Sequence, residues 1–267
     1  MKTVSRVFVG LILLILYAPL FVMLFFSFNS GSSTAVFEGF SLEWYQKMFA
    51  DDALMNALKN TLILALLSSV TATVLGTAAA VAIHRMKRGV FRSSVMTVTN
   101  VPMMNPDIVT GVSLMLLFVF VGTLVGSGEK LGFHTILIAH ITFNLPYVIL
   151  NVLPKLRQMD VFLTEAALDL GATPMQSFFK VELPAIMPGV FSGLLMAFTL
   201  SIDDFVISYY TSDNFETLPI RIYTMVKKPI TPKVFSMTSL LFISVLVLMI
   251  LFNVFQAKAE KKHGRAK

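Results

Sequence analysis

The chain has 267 residues, of which 56% are hydrophobic and 13% are charged, and it contains no cysteine. Soluble domains carry about a quarter charged residues, so this composition excludes a water-soluble globular enzyme. Without cysteine, a disulfide framework, a thiolate nucleophile and a cysteine-ligated metal cluster are excluded as well. The formal net charge is +6, and the positions of the basic residues relate this excess to membrane topology rather than to nucleic acid binding.

The sequence predicts six apolar helices that are each long enough to cross a membrane. A hydrocarbon core about 30 Å thick requires roughly 20 helical residues. Runs of this length with few or no charges lie at about residues 7–28, 61–83, 95–125, 131–153, 189–210 and 234–256. Prolines in the third and fourth runs predict kinks, which neighbouring helices tolerate. The expected fold is an all-α polytopic membrane protein that forms a single transmembrane domain over residues 1–267.

The basic residues predict the orientation of these spans. With six spans both termini face the same side, and the segments on that side contain about twice as many lysine and arginine residues as the segments on the other side. The positive-inside rule therefore places both termini in the cytoplasm. The loop between the fifth and sixth spans is an exception that topology does not explain, because it contains Arg221, Lys227, Lys228 and Lys233.

Motifs of soluble catalysis are absent from the sequence. It contains no Gly-x-x-x-x-Gly-Lys-Ser/Thr phosphate loop, no Gly-x-Ser-x-Gly nucleophile elbow and no His-Glu-x-x-His zinc helix. His134 and His140 are six positions apart and therefore lie on different faces of a helix. We therefore expect this chain to hydrolyse no ATP and to bind no metal or cofactor of its own.

The longest predicted cytoplasmic segment, residues 154–188, has the pattern of a helix, a turn and a second helix. The first helix is predicted to run from Gln158 to Leu170 and to end at Gly171, since glycine is the preferred residue after a helix C-terminus. Thr173 is the expected N-cap of the second helix, and Pro174 occupies its first position.

The second helix is predicted to carry Met175, Phe178 and Phe179 on one face and to stop before Pro184. It would project an apolar, aromatic surface towards the cytoplasm. Two helices lying in the lipid headgroup layer would show the same pattern, so this second interpretation stays open.

The same segment carries Glu165-Ala166-Ala167, Gly171, Val181 and Leu183-Pro184 at fixed spacing. This pattern resembles the signature loop of the membrane subunits of binding-protein-dependent ATP-binding-cassette importers, with Val181 in place of the commoner isoleucine. The resemblance implies a type I importer permease fold whose coupling helices insert into a groove of a separate ATPase subunit. It implies that Glu165, Ala166, Ala167 and the turn at Gly171 engage that ATPase, which binds ATP and Mg²⁺. Met175, Phe178 and Phe179 are our own inferred contacts.

Three further segments, residues 103–109, 198–206 and 218–227, look like the spermidine/putrescine permeases, and specifically their second, C-type membrane subunit. This resemblance implies a polyamine importer of the bacterial inner membrane. Its partners would be a homologous membrane subunit, an ATPase dimer and an extracytoplasmic polyamine-binding protein. Lys233 stands where an acidic residue is expected in such relatives, so the choice between spermidine and putrescine stays open.

The matching segments contain the candidate pathway residues, which are Asp107, Ser201, Asp203 and Asp204. An ionised aspartate at a span centre costs about 2.5 to 3.5 kcal/mol to insert, so a compensating charge is required. The predicted spans contain no lysine or arginine, and a polyamine passing through would supply that charge. Because adjacent helical residues point about 100° apart, Asp203 and Asp204 are not both expected to line the pathway, and the other aspartate is expected to pair with the partner subunit.

Alternatives remain for these acids. A third span that runs outward from Val95 places Asp107 at a depth similar to Asp203, just outside the midplane. If residues 108–127 are instead the whole span, Asp107 lies at its cytoplasmic end and belongs to a gate or an interface. The acids could also be protonated or be paired with a second subunit. The nearest rival function is a permease of the same fold for another cationic or small solute. A proton-coupled secondary transporter is a rival from a different class, because buried acids form proton relays.

Trp44, the only tryptophan, lies in a predicted outer interfacial helix over residues 41–49. An aromatic membrane anchor is the default interpretation. Its match to the polyamine-permease pattern adds a second hypothesis, in which Trp44 makes a cation–π contact in the substrate pathway or contacts the binding protein.

Overall fold

The computed structural model describes residues 2–31, 33, 36–126, 131–227 and 232–264. Within this part of the chain every regular element is helical. The helices are α1 (Lys2–Phe26), α2 (Glu43–Phe49), α3 (Asp52–Arg85), α4 (Val90–Met104), α5 (Asp107–Val125), α6 (Phe133–Gln158), α7 (Val161–Asp169), α8 (Pro174–Ser177), a π-helix (Phe178–Glu182), α9 (Leu183–Asp203), α10 (Val206–Thr211), α11 (Leu218–Val226) and α12 (Pro232–Gly264). They form two compact units, residues 58–220 and residues 1–57 with 221–267.

Among the described residues, five stretches of helix are long and apolar enough to cross a membrane. They are Arg6–Phe26, Asp52–Arg85, Asp107–Val125, Phe133–Gln158 and Pro174–Asp203. The helical fold class is therefore confirmed. The sixth predicted span lies in α12, whose described apolar part, Pro232–Val247, is shorter. The count of six spans stays a prediction.

The run predicted to contain the third span is interrupted near its prolines. Within residues 95–125, α4 ends at Met104 and α5 begins at Asp107. Between them, Asn105 is extended with ψ 142°. The residue before a proline avoids the helical region, and Pro106 donates no backbone hydrogen bond. Asp107 is therefore the first residue of α5 and follows the separate helix α4.

The fifth span is also rearranged. The helix predicted to stop before Pro184 continues through the π-helix into α9, and Pro184 lies in the first turn of α9. The Leu183 amide hydrogen-bonds to the Phe178 carbonyl in this wider turn, where the missing N–H of a proline is tolerated. At its other end the predicted helix 189–210 breaks after Asp203 and resumes as α10.

Small residues bring three helices of the 58–220 unit close together. A Cβ atom on Gly76 of α3 would lie 2.7 Å from Cγ1 of Val148 in α6, and one on Gly193 of α9 would lie 3.2 Å from the Val148 Cα. Buried polar groups bridge the same helices. The Ser201 Oγ lies 2.9 Å from the Ser68 Oγ and accepts a hydrogen bond of 2.8 Å from the Asn144 amide. Small interfacial residues and interhelical hydrogen bonds are the usual basis of helix association in lipid.

The other unit joins α1, α2 and α12. The Ser236 hydroxyl donates to the Ser27 carbonyl at 3.1 Å, and Met48 of α2 is buried. Lys233 forms an ion pair with Asp51, and its hydrogen bond lowers the pKa of that carboxyl. The lysine that departs from the expected family pattern is therefore neutralised within its own chain.

The close approach at Gly76 can be tested by substitution. Gly76→Val should lower the melting temperature of the purified protein, because overpacking costs about 1–3 kcal/mol. Gly10→Val is the matched control, since a Cβ atom on Gly10 meets nothing within 4 Å. Equal melting temperatures for the two variants would contradict this packing.

Candidate functional site

The break between α9 and α10 is organised by Asp204. Its Oδ2 accepts hydrogen bonds from the Ser208 amide at 2.7 Å and the Ser208 hydroxyl at 2.8 Å, and its Oδ1 accepts one from the Ile207 amide at 3.2 Å. A side-chain acceptor that satisfies the first amides of a helix stabilises that helix N-terminus. Asp204 therefore fixes the start of α10, with its carboxylate largely buried.

His140 of α6 supports Asp204 from the side. The ring is fully buried, and its Nε2 lies 3.0 Å from the Ser208 Oγ and 3.4 Å from the Asp204 Oδ2. His140 was not expected as a partner of Asp204, because only lysine and arginine were considered as internal counter-ions for the aspartates. A histidine inside a predicted span is itself the signal, because ionisable groups there pair with one another.

Asp203 has a different environment from its neighbour. It is exposed, and the carboxylates of Asp204 and Asp107 lie near enough to repel its charge. Asp107, also exposed, begins α5, and one turn later a Cβ atom on Gly111 would lie 3.4 Å from the Ile207 Cα of α10. Residues i and i+4 share a helix face. The structure therefore places Asp107 beside the α9–α10 break. It does so because Asp107 begins α5, which packs against α10 at Gly111.

Ser201 and Trp44 have other contacts. Ser201 is buried among Ser68 and Asn144 at the helix junction. Trp44 lies in the other compact unit, where its indole donates to the Gly31 carbonyl at 3.2 Å and the Lys47 ammonium lies 4.5 Å from its ring centroid. A lysine of the same chain therefore already occupies a cation–π position at this ring. Substrate contact by Ser201 and Trp44 stays a prediction.

The helix, turn and helix predicted in residues 154–188 are present, with adjusted bounds. α7 begins at Val161 rather than Gln158, and Asp160 caps it by accepting from the Phe162 amide at 3.0 Å. Gly171 follows α7 with φ +85°, in the left-handed region that glycine permits. Thr173 then caps α8, accepting from the Gln176 amide at 3.3 Å.

These two helices leave a large apolar surface exposed, which we name the α7–α8 surface. Phe162 is 72% exposed, Leu170 89%, Met175 67% and Phe179 56%. The other members are Leu163, Leu168, Glu165 and Ala166, whereas Ala167 and Phe178 are only partly exposed. The second-helix members were expected from the sequence. Phe162, Leu163, Leu168 and Leu170 were not, because the first helix was assigned from the resemblance at Glu165-Ala166-Ala167 and not from its apolar residues.

Glu182 connects this segment to the spanning helices. Its side chain is 6% exposed and accepts hydrogen bonds from the Arg85 guanidinium on both carboxylate oxygens, each at 3.0 Å. The Thr164 hydroxyl of α7 donates to the same carboxylate at 3.4 Å. Both of the Arg85 bonds come from a single nitrogen, Nη2, and charge-assisted hydrogen bonds of this kind are stronger than neutral ones. One buried carboxylate thus joins the end of α3, the helix α7 and the start of α9.

Among the described residues, no group of three or more histidine, aspartate or glutamate side chains is arranged to hold a metal ion.

Solved structures share this fold. A bacterial alginate ABC transporter, in complex with an alginate pentasaccharide-bound periplasmic protein, matches 96% of this chain and 92% of its own chain with a TM-score of 0.71 at 16% identity. The MetNI methionine ABC transporter, in inward-facing conformations, matches 77% of this chain and 95% of its own with a TM-score of 0.62 at 20% identity. Both confirm the importer permease fold.

Sequence relatives extend the comparison. The putrescine transport system permease protein PotI of Escherichia coli (strain K12) is 38% identical over 251 residues, which are 94% of this chain and 89% of that protein. The spermidine/putrescine transport system permease protein PotC of the same organism is 38% identical over 237 residues, 88% of this chain and 87% of that protein. The profile of the binding-protein-dependent transport system inner membrane component family matches residues 72–262. The chain therefore belongs to this family and is a transporter component rather than an enzyme.

Proposed function

We propose that this chain is a permease subunit of an ATP-driven polyamine importer and that it forms the translocation pathway together with a homologous membrane subunit. The relatives that are 38% identical transport putrescine or spermidine according to their names. The observation that carries the proposal is Asp203, an exposed residue at the α9–α10 break whose carboxylate lies within electrostatic range of Asp107.

The chemistry of this break suits a polyamine. Within the described part of the chain, no lysine or arginine forms an ion pair with Asp203 or Asp107. A polyamine carries several ammonium groups separated by methylene chains, so it offsets two neighbouring negative charges at once. Asp204 has a separate role in this proposal, because its oxygens already serve α10 and His140. We assign the substrate contact to Asp203 and a positioning role to Asp204.

The α7–α8 surface is the proposed contact with the ATPase. An exposed apolar patch that includes two phenylalanines favours docking to another protein. ATP and Mg²⁺ would then be bound by the ATPase dimer and not by this chain. Movement of the docked surface would reach α3 and α9 through Glu182, whose two oxygens Arg85 holds.

The proposed assembly lies in the bacterial inner membrane. It contains two membrane subunits, two ATPase subunits and an extracytoplasmic polyamine-binding protein, and it works by alternating access. The family description supports the membrane location. The excess of basic residues on the side of the termini supports their placement in the cytoplasm.

The substrate contact is tested by Asp203→Asn, which removes one charge at nearly constant size. Uptake of labelled spermidine and putrescine into ATP-loaded proteoliposomes should fall at least tenfold, which corresponds to about 1.4 kcal/mol. The yield and melting temperature of the complex should be unchanged. Persistence of wild-type uptake in the presence of a protonophore excludes the proton-coupled rival.

Asp204→Asn is the matched comparison, and it should lower the melting temperature by weakening the start of α10 and the contact with buried His140. Normal uptake by Asp203→Asn, or the same loss of stability in both variants, would refute the division of roles between the two aspartates.

The coupling turn is tested at Gly171. Gly171→Pro should abolish ATP-driven uptake, because proline fixes φ near −65° where the chain has +85°. Gly171→Asn should retain most uptake, since asparagine tolerates the left-handed region. The measurement is uptake together with co-purification of the ATPase. Wild-type uptake by the proline variant would show that this turn does not couple.

The orientation is tested with topology reporters. Reporters placed after Lys267 and near Val161 should be cytoplasmic, and one near Ser33 should be outside. A reporter near Ser33 on the same side as the C-terminus would show that the predicted count of spans is wrong.

A further inference from the structure

A cavity of about 670 Å³ lies at the C-terminal end of α10, inside the 58–220 unit. Tyr209 and Tyr210 from the last turn of α10 form part of its wall, and the segment that follows supplies Asp213, Phe215 and Glu216. The remaining lining residues that the structure describes are neutral, so this part of the wall carries two carboxylates. Neither the packing of the helices nor the proposed ATPase contact accounts for carboxylates and aromatic rings together in this wall.

The chemistry of the wall matches an organic cation. The rings of Tyr209 and Tyr210 stand at 88° to each other with centroids 5.5 Å apart, so they present faces in two directions. Phe215 adds a third ring. Aromatic faces attract ammonium groups, and carboxylates supply the countercharge. Methylene chains would contact the apolar parts of the same rings.

The wall is held in place by contacts outside the cavity. The Asn60 amide donates to the Glu216 carbonyl at 3.0 Å, and the Leu218 amide donates to the Thr61 hydroxyl at 2.7 Å. On the other side the Asp213 amide donates to the Leu131 carbonyl at 3.2 Å. The Phe215 ring lies 5.1 Å from the Phe133 ring. A wall fixed at both ends is preorganised, so a ligand need not order it.

The cavity and the proposed substrate contact lie at opposite ends of α10. Asp203 is three residues before Val206, the first residue of α10, and the cavity lies at the other end of that six-residue helix. At 1.5 Å per residue the helix spans about 9 Å. α9 leads away from the proposed ATPase contact towards Asp203, so the cavity is further from that contact along the chain.

We propose that this cavity is an entry subsite at the outer mouth of the pathway, where an ammonium group of the substrate binds before it reaches Asp203. The subsite rests on the proposed polyamine function. It deepens that function by assigning cation capture to Asp213 and Glu216, with Phe215 and the two tyrosines as the aromatic wall.

The test measures equilibrium binding to the purified complex without its binding protein, with spermidine and choline as two separate probes. The double variant Asp213→Asn/Glu216→Gln should raise the Kd of spermidine for one site at least tenfold and leave the melting temperature unchanged. The same double variant should raise the Kd of choline to a similar extent. Glu38→Gln is the control, since it removes an exposed carboxylate from the segment between α1 and α2.

The aromatic wall is tested by Phe215→Leu, which should raise the Kd of spermidine at least threefold. Phe215→Tyr keeps an aromatic ring and should leave that Kd at the wild-type value. Unchanged isotherms for the double variant, or a loss of binding that only follows a loss of stability, would overturn the subsite. A wild-type complex that binds choline through Asp213 and Glu216 but neither binds nor transports polyamines would retain the subsite and refute the polyamine function. A wild-type complex that binds neither probe would overturn the subsite.

Discussion

The hydrogen bonds of Asp204 determine the structure of the break between α9 and α10. Its carboxylate satisfies the first amides of α10, and buried His140 holds the carboxylate from α6. The spanning helix therefore ends at Asp203 instead of continuing, and the chain changes direction at a charged pair. The exposed position of Asp203, the packing of Gly111 against α10 and the wall of the neighbouring cavity all depend on this change of direction.

Two adjacent aspartates thus perform opposite physical tasks. Asp204 is stabilised by donors that remain in place whether or not a cation is present, so its charge serves the fold. Among its described contacts the Asp203 carboxylate accepts only from its own backbone amide, so its charge remains for a ligand in the proposed function. Separating the tasks allows a site to bind a cation weakly and reversibly, because the backbone that presents the carboxylate does not depend on the ligand.

Much of the architecture could be predicted from the sequence, and the exceptions have physical causes. Hydropathy located the first, second and fourth spans because burial in lipid requires long apolar runs. The turn at Gly171 and the cap at Thr173 followed from local chemistry and are present. The break before Asp107 was also local, since Pro106 signals it. The break after Asp203 is only partly local. The bonds of Asp204 to Ile207 and Ser208 are neighbouring contacts, whereas the support by His140 comes from a different helix and is not encoded in the adjacent sequence.

The close contacts of Gly76 and Gly193 with Val148 have a consequence for motion. Helices packed with so little space between their backbones resist bending and sliding relative to one another, since either movement would force atoms into overlap. The hydrogen bonds of Ser201 to α3 and α6 add to this resistance. Helices α3, α6 and α9 should therefore behave as a single stiff lever. A displacement of about 1 Å at the cytoplasmic end would then appear at the opposite end as a tilt of the whole block instead of being absorbed along the way.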